Sequence, residues 1–150
     1  MDYWFYHLER TSLAEALPPL LEKARGKGWK AHVRSVSETR LAELDDALWT
    51  YRDESFLPHG RADQPGAARQ PIVLSLDEER PNAAELIVLT DGVGLPTSSE
   101  GVERCVVMFA ADDEEAVHAA RQTWKSLKAD GAALSYWRQT PDGGWREDTR

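Results

Sequence analysis

The sequence predicts an α/β fold in which a mixed, partly parallel sheet is flanked by helices in three layers. Three observations support this. Strand-like and helix-like periodicities alternate from the N-terminus onward. The strand–helix–strand–helix order at the start has short connections, which implies at least partly parallel pairing. Residues 85–90, Glu-Leu-Ile-Val-Leu-Thr, form an apolar run without alternation, as expected of a central strand covered on both faces. The 150 residues fit one domain, able to bury roughly two-thirds of the surface its unfolded chain exposes.

Residues 3–8, Tyr-Trp-Phe-Tyr-His-Leu, are short, aromatic and bounded by polar residues, and read as the first strand. Ser12 caps a helix whose apolar positions are Leu13, Leu17, Leu20, Leu21 and Ala24, and Gly26 and Gly28 end it. Pro18 and Pro19 conflict with that helix, which must kink there or begin in earnest afterwards. Residues 29–36 alternate as a second strand. Ser37 caps a second helix to about Trp49, with Leu41, Leu44, Ala47 and Leu48 on its apolar face. Residues 60–70 read as a flexible loop with little to bury. Strands are expected at 71–76, 85–90 and 102–109, with a loop from Asp91 to Gly101. A strong helix follows at 112–129. The tail, about 132–150, holds a last strand at 134–138 and a hairpin through Pro141-Asp-Gly-Gly144 to Trp145.

Composition narrows the function. A net charge of −8 opposes broad binding to phosphate backbones, so any link to DNA is expected to be indirect. No apolar run approaches the ~20 residues that span a bilayer, and the N-terminus lacks a secretory pattern, so a cytoplasmic protein with no membrane association is expected. Cys105 is the one cysteine. It lies in an apolar strand-like run and reads as a core thiol.

Ser55, His59 and Asp53 or Glu54 have the residue types of a hydrolytic triad. They crowd one short loop without a nucleophile elbow, whereas triad members converge from separate parts of a fold. Gly26/Gly28 and Gly92/Gly94 each supply two glycines of a dinucleotide fingerprint without the third, and neither forms a P-loop. His7, His32, His59 and His118 lack metal-ligand spacing. No cofactor, metal or catalytic residue is expected.

The late helix is more informative. At about 100° per residue, Arg121, Lys125 and Lys128 share one narrow face, and Val117 and Trp124 lie at its seam with the apolar face formed by Ala120 and Leu127. Two readings stand side by side. Acids at the helix start and bases at its end complement the macrodipole. Alternatively, cations beside an aromatic rim suit a short ligand that is both anionic and hydrophobic, such as an acidic peptide ending in an apolar residue and a free carboxylate.

Leu44-Asp-Asp-Ala-Leu-Trp49 followed by Glu54-Ser-Phe-Leu-Pro-His59 resembles the chi subunit family of bacterial DNA polymerase III. The likeness extends to the aromatic first strand, the order of elements and the late basic helix. It implies a Rossmann-like or P-loop-like sheet without a nucleotide site, in a noncatalytic accessory subunit of the polymerase holoenzyme. That subunit would link the clamp loader to single-stranded DNA-binding protein by holding the latter's acidic, hydrophobic-ended C-terminal tail. The family's Arg-x-x-aromatic-Lys is matched by Arg121, Trp124 and Lys125, with Val117 and Lys128 beside them. Trp49 and Phe56 match positions that face the psi subunit or a helicase, the other reading being that both rings are core. Asp53, Ser55 and His59 would then set the loop by local hydrogen bonds. The alternative function is a small α/β enzyme acting on a nucleotide or other phosphorylated ligand through the loops around His59 and Asp91.

Overall fold

A computed structural model describes residues 1–51 and 57–148, so Phe56 and the candidate triad residues Asp53, Glu54 and Ser55 lie outside the described residues. The element order is β1 (Asp2–Leu8), α1 (Leu13–Gly26), β2 (Ala31–Arg34), α2 (Glu38–Thr50), β3 (His59–Arg61), β4 (Ile72–Ser75), β5 (Leu86–Thr90), β6 (Arg104–Ala110), α3 (Glu114–Ala129), β7 (Ala133–Gln139) and β8 (Trp145–Glu147). They build one sheet in the order β3-β4-β2-β5-β6-β1-β7-β8. Every pairing is parallel except the terminal hairpin β7–β8.

The sheet separates two apolar layers. Leu13, Leu17 and Leu21 of α1 and Leu41, Leu44 and Leu48 of α2 meet Tyr6, Val33, Leu74, Val88 and Val106 on one face. On the other, Ala116, Ala120 and Leu127 of α3 meet Phe5, Leu89, Val107, Phe109 and Tyr136. Adjacent residues of β1, Phe5 and Tyr6, serve opposite layers because side chains alternate along a strand. Residues 86–90 are buried throughout, as the uninterrupted apolar run requires of a strand with helices on both faces.

Helix α1 starts before its prolines rather than after them. Ser12 Oγ accepts from the Glu15 N–H at 3.2 Å, and the Glu15 carboxylate accepts from the Ser12 N–H at 3.2 Å, a reciprocal cap. Each interior proline costs roughly 3 kcal/mol. Three buried leucines, each contributing roughly 1.5–3 kcal/mol, offset that loss, and Pro18 is itself buried. The turn into α1 is fastened from the far end of β7. Gln139 Oε1 accepts from the N–H groups of Glu9, Arg10 and Thr11 at 2.9, 2.7 and 3.2 Å, and its Nε2 donates to Thr11 Oγ1 at 2.7 Å.

The stretch 60–70 contains more structure than its composition suggested. His59–Arg61 adds an edge strand parallel to β4, and Ala67 is buried in a short 3₁₀ turn. The cause is tertiary: His59 Nε2 lies 2.8 Å from Asp45 Oδ1 of α2, and its Nδ1 lies 2.8 Å from the Leu57 carbonyl.

His32 in β2 is 1% exposed, and its Nε2 has no hydrogen-bond partner among the described residues. Burial, with the Arg80 and Arg34 cations nearby, lowers its pKa to about 4. The unfolded chain, titrating near 6.5, therefore takes up the proton first as pH falls. The neutral ring's contribution is present above pH 6.5 and is lost as pH drops toward 4, an effect of about 3 kcal/mol over the window. Urea melts at pH 6.5 and 4.5 are expected to show a steeper acid loss in the wild-type protein than in His32→Val.

Candidate functional site

Helix α3 is capped by Asp113, whose carboxylate accepts from the Ala116 N–H at 3.1 Å. Ala116, Ala120 and Leu127 point into the core, Val117 and Trp124 are half-buried, and Arg121, Lys125 and Lys128 are exposed. The seam expected from the periodicity is therefore present. The Trp124 indole stands edge-on to Phe5 (5.1 Å, 80°) and to Tyr136 (5.5 Å, 86°), so aromatic rings of β1 and β7 fix it.

Beside it opens a hollow of about 280 Å³, lined by Trp124 and Lys128 of α3, Leu134 and Tyr136 of β7, and Glu147 and Asp148 at the end of the chain's hairpin. None of Arg121, Lys125 and Lys128 makes an ion pair with a described residue. The helix dipole acts on charges in the last turn, where Lys128 stands alone. Arg121 lies two turns before the C-terminus, so dipole complementation does not explain it.

The acids on the opposite wall escaped sequence reading. Glu147 and Asp148 are brought there by the β7–β8 hairpin, and the Asp148 N–H donates to the Tyr136 carbonyl at 2.7 Å. The Pro141-Asp-Gly-Gly144 turn announced the hairpin, but its register decides which residues face α3.

Trp49 is 57% exposed on α2, its ring 4.6 Å from that of His59. It is a surface side chain rather than a core one.

Among the described residues, the side chains invoked for the alternative chemistry, His59 and Asp91, are engaged in structural contacts. Both Asp91 oxygens accept from Arg40, at 2.9 and 3.1 Å. Gly92, at φ +85°, a conformation that side chains rarely adopt, completes a turn packed beside Ala116 and Ala119 of α3. At the carboxyl ends of β3 and β4 a hollow of about 270 Å³ is lined by Glu38, Asp63, Asp77 and Glu79, with Arg61 already held by Glu38 and Asp63. A phosphate there would meet mostly like charge. Burial pushes the Cys105 thiol up to about 12, away from a reactive thiolate.

Residues 1–135 match the family described as DNA polymerase III chi subunit, HolC. The chain is 30% identical over 88 residues to a probable DNA polymerase III subunit chi of Rickettsia prowazekii, covering 59% of this chain and 53% of that protein. It is 35% identical over 69 residues to the DNA polymerase III subunit chi of Pseudomonas aeruginosa, covering 46% of this chain and 47% of that protein. The chain thus spans about half the length of these relatives. The match along most of its residues, on the three-layer sheet described above, places the chain in the DNA polymerase III chi subunit family.

Proposed function

We propose that the chain is a noncatalytic accessory subunit that holds the C-terminal tail of single-stranded DNA-binding protein on α3, linking it to the clamp loader during replication. The observation that carries this reading is the half-buried Trp124, which lines an open hollow with Lys128 and neighbours on α3 Arg121 and Lys125, two cations that make no ion pair with a described residue. Arg121 and Lys125 receive the tail's carboxylates. Trp124 and Val117 wall its terminal aromatic ring, and Lys128 lies at the hollow's rim. Exposed ion pairs contribute only ~0–1 kcal/mol each, so burial of that ring supplies much of the affinity. Contact with DNA is indirect, and the setting is the cytoplasm. Among the described residues no helix is long and apolar enough to cross a membrane.

The test is fluorescence anisotropy of a labelled tail peptide. Micromolar binding, about −8 kcal/mol, weakened by salt and by removal of the terminal aromatic residue, supports the reading. Absence of binding at low salt refutes it.

Glu147 and Asp148 line the same hollow, Asp148 with the Arg138 guanidinium 4.0 Å away, and Glu147 carries most of the repulsion of an acidic ligand. The double substitution Glu147→Gln/Asp148→Asn is therefore expected to tighten peptide binding roughly three- to tenfold at low salt, with the gain shrinking as salt screens it. Titrations at two ionic strengths check this.

Trp49, exposed on α2, serves as an aromatic anchor for a second partner, the psi subunit or a helicase. Phe56, the other anchor in this reading, lies outside the described residues.

A further inference from the structure

A second cluster of cations and indoles sits on the opposite face of the sheet, at the amino ends of β5 and β6. The Arg104 guanidinium lies 3.7 Å from the centre of the Trp4 ring and 5.2 Å from that of Trp29, and Lys27 Nζ lies 4.7 Å from Trp29. They border a hollow of about 230 Å³, with Lys23 at its rim and Leu20 among its apolar walls, and none of the described residues lining it carries a carboxylate. On a chain of net charge −8, three cations around one apolar hollow are a local reversal of sign.

Arg104 is the informative residue. Its side chain is 16% exposed, and its nearest carboxylate, Asp2, is 3.5 Å away and half exposed. Its Nε is buried without a hydrogen-bond partner among the described residues. Stacking on two indoles offsets part of the cost of burying a guanidinium, but it leaves the in-plane Nε donor unfilled, and an unfilled charged donor is costly.

We infer that this hollow binds a small amphiphilic anion, a carboxylate or phosphate carried on an aryl or short alkyl body. The anionic group meets Arg104, Lys23 and Lys27, and the apolar body fills the space against Trp4, Trp29 and Leu20. The volume suits about one ring, since a cavity of ~150 Å³ accommodates benzene. A nucleobase is disfavoured because its N–H edges need acceptors, and Tyr6 supplies the one side-chain oxygen among the described lining residues. This site is independent of the α3 hollow.

Isothermal titration calorimetry with 4-phenylbutyrate and with phenyl phosphate tests the assignment, using deoxythymidine monophosphate for comparison. The wild-type protein is expected to bind both aryl anions with dissociation constants below about 1 mM. Lys23→Glu/Lys27→Glu, at exposed positions, should weaken them at least about tenfold, and Arg104→Gln should abolish binding. Because Arg104→Gln removes a packed side chain, the exposed lysine pair keeps the test decisive if that variant fails to fold. Affinity unchanged in the lysine pair, no heat up to about 10 mM ligand, or tighter binding of the nucleotide than of the aryl anions would overturn the inference.

Discussion

Alanine at both Arg121 and Lys125 is expected to weaken binding of the single-stranded DNA-binding protein tail about 30-fold, while the melting temperature moves by no more than about 2 °C. Both side chains are exposed and make no internal ion pair with a described residue, so their removal leaves no buried partner unsatisfied. Each contact to an anionic ligand is worth about 1 kcal/mol, and two such losses give roughly the stated factor. Anisotropy titrations at low and moderate salt, alongside thermal melts, separate binding from stability. The variant should also show a shallower salt dependence, because fewer charged contacts remain to be screened. Unchanged affinity in the double variant would leave these cations without the role given to them.

The largest effect on stability is expected from Phe5→Ala. Phe5 is fully buried in β1, edge-on to Trp124 and stacked at 6.3 Å and 9° with Tyr136. Truncating a buried phenylalanine costs roughly 3–5 kcal/mol, which in a domain of this size lowers the melting temperature by roughly 10–15 °C. The same ring supports the indole, so tail affinity should fall as well, although Phe5 lies beneath the proposed binding surface. Phe5→Leu keeps most of the volume and should cost less than about 1.5 kcal/mol. If that variant restores stability but not affinity, the edge-to-face contact positions Trp124. If it restores both, bulk beneath the indole is sufficient.

Much of this fold was legible in the sequence because local chemistry and tertiary structure agree. Ser12 with Glu15 and Ser37 both cap the helices they announce, and the apolar run at 86–90 is the buried centre of the sheet. The seam position of Trp124 followed from helical geometry alone. What escaped depends on partners distant in sequence. β3 exists because His59 is held by Asp45 and its strand pairs with β4, information absent from Gly60-Arg-Ala-Asp. Gln139, a polar residue near the end of a strand, gives no local sign that it gathers three amides from residues 9–11. Arg104 beside Trp4 and Trp29 was equally hidden, since β6, β1 and the loop before β2 bring them together from distant parts of the chain. The joined motif at 44–59 marked the family, although half of its second segment lies outside the described residues.

The most direct test of tail binding on α3 is photo-crosslinking with a tail peptide whose terminal aromatic residue is replaced by benzoylphenylalanine, followed by mass-spectrometric mapping. Adducts confined to the segments that carry Val117, Trp124 and Leu134, and competed away by unmodified peptide, are the predicted result. Adducts on the segments that carry Trp4 and Trp29, or labelling that unmodified peptide does not suppress, would contradict it.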